Sequence, residues 1–93
     1  MIAHIQTLED SKVIGHKNMG YEITDSVTGR YTQDIYVTGF DSTRGRAVTW
    51  CAYRAGDNYW FYCWGHYFDS AQDGRVNYNN ARADMLRRAE FGK

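Results

Sequence analysis

From Tyr21 to Tyr67 apolar and polar positions alternate with a period of two, and from Ala71 onward the period lengthens to three and four. Tyr21, Ile23 and Val27 alternate with Glu22, Thr24 and Ser26, the pattern of a strand with one buried side. Thr28-Gly29-Arg30 reads as a turn, and Tyr31 to Phe40 as a second strand with Ile35 and Val37 on one face. Asp41-Ser42-Thr43-Arg44-Gly45 has loop composition, its glycine placed to take positive φ. Arg46 to Arg54 is the third strand, Gly56-Asp57-Asn58 the next turn, and Tyr59 to Tyr67 the fourth strand. Such short connections make successive strands antiparallel neighbours, so a four-stranded meander is expected.

A three-residue third turn would set Ala55 opposite Tyr59, and with it Cys51 opposite Cys63, Trp50 opposite Trp64 and Arg54 opposite Trp60. A five-residue second loop pairs Phe40 with Arg46 and Ile35 with Cys51. A three-residue first turn pairs Ile23 with Ile35 and Tyr21 with Val37, so that the odd-numbered apolar residues share one face. Gly29-Arg30 alone would also suit a two-residue turn, which puts Ile23 and Ile35 on opposite faces; the hydrophobic pattern favours the longer one. Asp69 or Ser70 can cap a helix, with Gln72 or Asp73 completing a capping box. The helix should run to about Glu90, carry Arg87 and Arg88 in its last turn and stop at Gly92. Ala71, Gly74, Tyr78, Ala81, Met85 and Ala89 form its sheet-facing stripe. The expected fold is a two-layer α+β domain with the helix over the odd face. Residues 1–19 admit two readings: Ile2, Ile5 and Leu8 suit one or two turns of helix, and the same stretch suits an edge strand, followed by Val13-Ile14 before a turn at Gly15 to Gly20.

The 93 residues form a single domain on this reading, 1–93, without repeats or linker composition. A hydrophobic share of 43% argues against disorder, and no apolar run reaches the roughly 18 residues of a membrane span. Eleven Lys+Arg against eleven Asp+Glu speak against both a strongly basic nucleic-acid binder and an acidic nucleic-acid mimic. Met1 to Gln6 lack the basic and apolar regions of a secretory signal, and two cysteines make no disulfide framework. A cytoplasmic protein with reduced thiols is expected, although Cys51 and Cys63 could be close enough for an accidental disulfide after purification.

Aromatics reach 16%, and nine of the fifteen lie between Trp50 and Phe68. With the helix on the odd face, the even face carries Tyr36, Phe40, Val48, Trp50, Trp60, Tyr62 and Trp64, with Arg46, Arg54 and His66 among them. That patch exceeds the few hundred Å² a monomer usually exposes. Residues 1–19, a second copy of the chain, or a partner could cover it. Trp, Tyr and Arg are also the side chains of interface hot spots. The candidate binding residues are therefore Trp60, Trp64, Tyr62, Trp50, Arg54, Arg46, Tyr36, Phe40 and His66, with Arg54 over Trp60 as a cation–π pair.

Catalytic and metal chemistry finds little footing. Cys63 and His66 sit three apart on a strand, which directs them to opposite faces and sets aside both a nucleophile pair and a metal site with Cys51, His4 or His16. Asp25 and Asp34 read as solvated surface, Asp69 and Asp73 as helix-terminus residues, and no phosphate loop is present. A non-enzymatic, cofactor-free protein-binding module is the leading expectation. The alternative is a single-stranded nucleic-acid module that stacks bases on the same aromatics, since eight of the eleven cations are Arg.

In size and architecture, a Tyr/Trp-rich sheet with one terminal helix resembles small phage or mobile-element inhibitors of the anti-CRISPR kind. The resemblance implies a phage-encoded inhibitor in the host cytosol that blocks a host defence protein or complex by occlusion, without turnover.

Overall fold

A computed structural model describes residues 8–92. Along them run α1 (Leu8–Ser11), β1 (Lys17–Asn18), β2 (Tyr21–Thr28), β3 (Ile35–Asp41), β4 (Arg46–Gly56), β5 (Tyr59–Phe68) and α2 (Gly74–Phe91). The strands make one antiparallel sheet in chain order, with α2 on one face, so the α+β meander with a C-terminal helix is present. It has five strands where four were expected. The additional one, β1, comes from the N-terminal segment: Met19 and Gly20, both at positive φ, turn the chain tightly enough to pair Asn18 with Tyr21. The helical reading of Ile2 and Ile5 lies outside the described residues. No described helix is long and apolar enough to cross a membrane.

Loop lengths shift the register from the expected one. The first hairpin loop spans Gly29 to Asp34, closed by the Gly29 amide on the Asp34 carbonyl at 2.6 Å, so β3 begins at Ile35 and not at Tyr31. Ile23 consequently pairs with Gly39, not Ile35. The next loop holds four residues, because Asp41 pairs with Arg46; its carboxylate accepts from the Thr43 and Arg44 amides and the Arg46 guanidinium. That single-residue change sets Tyr36, not Ile35, opposite Cys51 and inverts the two faces of β3. The third turn closes on Gly56 and Tyr59, and a bulge near Ala55 restores Arg54 opposite Trp60 and Cys51 opposite Cys63 as expected.

Two cores result. Val27, Tyr36 and Cys51 pack under Met85 and Ala89 of α2. On the opposite face Tyr21, Ile23, Val37, Val48, Trp50, Ala52 and Trp60 bury one another with Val13. The sheet curls until His16, beside β1, meets Trp60 of β5 edge to face at 6.4 Å. The chain around Val13 and His16 therefore helps to cover the aromatic face.

Asp73, rather than Asp69 or Ser70, caps α2: its side chain accepts from the Arg75 amide at 2.9 Å. Gly92, at φ 76, ends it as expected. The buried stripe includes Ala81, Met85 and Ala89 but also Asn77, Asp84 and Arg88. Asn77 donates to the Gly45 carbonyl at 2.7 Å, and a Cβ on Gly74 would lie 2.9 Å from Gly45 Cα, so the helix start is seated directly on the β3–β4 loop. Arg88 donates to Thr49 Oγ1 at 3.0 Å and lies over the Tyr36 ring at 5.5 Å.

Candidate functional site

β5 has a ladder partner on one side only among the described residues. An edge strand presents a row of unpaired backbone donors and acceptors, and proteins usually blunt it with charge, proline or shortness. The ten residues from Tyr59 to Phe68 contain no Lys, Arg, Asp, Glu or Pro. Their blunting device is one bulge.

Thr49 pairs with His66 and Cys51 with Cys63, so Trp64 and Gly65 together oppose Trp50. Gly65 keeps the inner position, where a Cβ would lie 2.8 Å from Trp50 Nε1 and 2.9 Å from the Tyr67 ring. Trp64 is the extra residue. It stands at φ 54 with 67% of its surface exposed. Left-handed backbone costs a residue with a Cβ about 1–2 kcal/mol and is an outlier for a bulky one. The trade holds a large apolar side chain in solvent on an open edge. Tyr59, Phe61 and Tyr67 of β5 and Tyr53 of β4 are also exposed, with the Tyr59 and Phe61 rings 5.1 Å apart.

The residues singled out from sequence scatter around this edge. Trp50 and Trp60 are 3% and 6% exposed and belong to the core, which corrects their reading as surface residues. Trp50 is boxed in by Tyr21, Tyr62 and Tyr67 at 5.3–6.2 Å. Tyr36 and Phe40 lie under α2, Phe40 against Tyr78 at 5.7 Å, because the β3 faces are inverted. Tyr62 is half-buried against the far-face core. Arg46 is held by Asp41 and lies over the Tyr21 ring at 4.7 Å. Arg54 bonds to the Gly56 and Asp57 carbonyls and so stiffens the β4–β5 turn. Of the three tryptophans, only Trp64 is on the surface.

Tyr53, Tyr59, Phe61 and Tyr67 escaped the sequence reading. All four have odd numbers and fall on the face expected under the helix; the bulge at Trp64 moves Tyr67 to the other face, opposite Val48. Strand length was the available signal. β4 and β5 run eleven and ten residues, and an 18-residue helix spans only about 27 Å and packs chiefly on β3 and β4. Among the described residues, the outer reach of the hairpin therefore stays bare.

The bulge also overturns the argument that Cys63 and His66 point apart. The inserted Trp64 returns both to the helix side, opposite Cys51 and Thr49. His66 Nδ1 lies 2.8 Å from Asp84 Oδ2, which also accepts from Thr49 Oγ1 at 2.8 Å; Oδ1 of Asp84 accepts from Arg87. Burial pushes the Asp84 carboxyl up, but the bonds from Thr49, His66 and Arg87 outweigh it and hold it below the ordinary carboxylate range. This cluster fastens α2 to the sheet. Among the described residues no three His, Cys, Asp or Glu side chains gather as a metal site.

Compared with protein-family models, curated proteins and solved structures, the chain finds no match, so its own geometry carries the functional argument.

Proposed function

We propose that the protein is a small binding module that docks another polypeptide along β5, with Trp64 as the anchor. One observation carries this reading: an exposed tryptophan held at φ 54 on an open edge strand that has no blunting charge or proline. Backbone strain persists where surrounding structure enforces it, and it concentrates at functional positions. An extended segment of the partner would add to the edge through main-chain bonds, while Trp64, Phe61 and Tyr67 supply the side-chain contacts. Truncating a central aromatic anchor costs on the order of 2–4 kcal/mol. The module would act stoichiometrically, and an inhibitor working by occlusion would use this same edge.

The test is affinity capture from nuclease-treated and untreated lysate with wild type and Trp64→Ala. The substitution should leave folding intact and weaken capture by about 30- to 1,000-fold. On the purified complex, hydrogen exchange should slow at the outward-facing amides of β5. Capture that vanishes with nuclease would shift the reading to single-stranded nucleic acid. Capture unaffected by Trp64→Ala would remove the edge from consideration.

A further inference from the structure

We propose that Cys51 and Cys63 are a redox-modification site, a dithiol that closes reversibly to an intramolecular disulfide with a glutathione-type disulfide as oxidant. Both thiols are free, and the two residues are direct cross-strand partners of β4 and β5. Directly opposed residues in an antiparallel ladder stand about 4.5–5.5 Å apart at Cα and project from one face. That separation lies inside the roughly 4.4–6.8 Å window of a disulfide. Tyr53 lies two residues along on the same strand, and its phenol is pushed up by interactions with both thiols, Cys51 foremost.

Accessibility sets the order of events. Cys51 is fully buried, and burial raises its thiol, whereas Cys63 is partly exposed. Cys63 loses its proton to solvent, and its thiolate attacks one sulfur of oxidised glutathione, releasing one glutathione thiolate and leaving a mixed disulfide. Cys51 then attacks Cys63 Sγ as its proton passes to the departing glutathione sulfur. The bond from Cys63 to glutathione breaks, and the second glutathione leaves as its thiol. The protein loses two electrons and two protons, and one glutathione disulfide becomes two glutathiones. The new bond ties β5 to β4 one residue before the Trp64 bulge, where the ladder is irregular. The inference holds whether or not β5 docks a partner.

Native protein is equilibrated with mixtures of oxidised and reduced glutathione, quenched in acid and weighed intact. The wild type should become lighter by two hydrogens, remain monomeric on a non-reducing gel, exceed its mixed disulfide by at least about tenfold and revert with dithiothreitol. Trypsin, cutting after Arg46, Arg54 and Arg75, should then yield peptides 47–54 and 55–75 joined. Cys51→Ser should stop at a glutathione adduct on Cys63, and Cys63→Ser should stay unmodified while circular dichroism shows it folded. Dominant mixed disulfide in the wild type, disulfide-linked dimers, or closure only after denaturation would each overturn the proposal. The peptide map of the wild type decides the matter even if a variant fails to fold.

Discussion

Trp64 and Gly65 divide the work of one bulge between them. Trp64 takes the left-handed backbone at φ 54, and Gly65 leaves room for the Trp50 indole. Replacing Trp64 with glycine should relieve about 1–2 kcal/mol of left-handed strain and return roughly 0.5–1 kcal/mol to unfolded-chain entropy. A net gain of about 0.5–1 kcal/mol in urea denaturation is expected, because a side chain 67% exposed gives up little burial. A loss of stability would show that the ring is held by packing rather than displayed. Gly65→Ala goes the other way. Its Cβ would sit 2.8 Å from a buried ring atom, and an overpacked core costs about 1–3 kcal/mol, measurable in the same titration.

At the scale of elements, α2 is bound by polar contacts as much as by apolar ones. Its spacing of Ala81, Met85 and Ala89 was legible in the sequence, but Asn77, Asp84 and Arg88 become core residues only because Gly45 and Thr49 face them from the sheet. The Asp84 carboxyl titrates below its unfolded value, so its contribution is full above about pH 4 and is lost as pH falls through the lower folded value. Asp84→Asn should cost about 1–3 kcal/mol near neutrality. The gap between wild type and variant should narrow as the buffer is taken toward pH 2 and urea midpoints are compared. Parallel curves would mean that the Asp84 charge does not secure the helix. The cap at Asp73 was misplaced by three or four residues for a related reason: Asp69, Ser70 and Asp73 are all competent caps, and the seat of Gly74 on Gly45 decides among them.

For the whole molecule, the two cores on opposite faces of one curled sheet mean that neither face can be emptied without loss. Trp50→Ala and Trp60→Ala should each cost about 3–5 kcal/mol, a large share of the about 5–15 kcal/mol that holds a domain together. Thermal melts of these variants beside Trp64→Ala separate core from surface. If Trp60→Ala melts like the wild type, the curl of the sheet over its far face is wrong. The candidate edge is half legible at this scale: the clustering of aromatics in the last hairpin points to β5, but alternation alone puts Trp50 and Trp60 on the surface, where the curl of the sheet buries them.

The sequence by itself determined the order of elements from β2 onward, the antiparallel meander and the stop at Gly92, and it reached the Cys51–Cys63 and Arg54–Trp60 pairings although the turn closes on Gly56 and Tyr59 rather than on Ala55 and Tyr59. Each depends on periodicity or turn chemistry within about a dozen neighbouring residues. Only the tertiary structure decided which side of each strand is buried. Parity passes through every loop and bulge, so one residue fewer between β3 and β4 exchanges the faces of β3, and one extra residue at Trp64 brings Cys63 and His66 together. The curl that buries Trp50 and Trp60 against Tyr21, Ile23 and Val13 joins residues 27 to 47 positions apart, which no local pattern encodes.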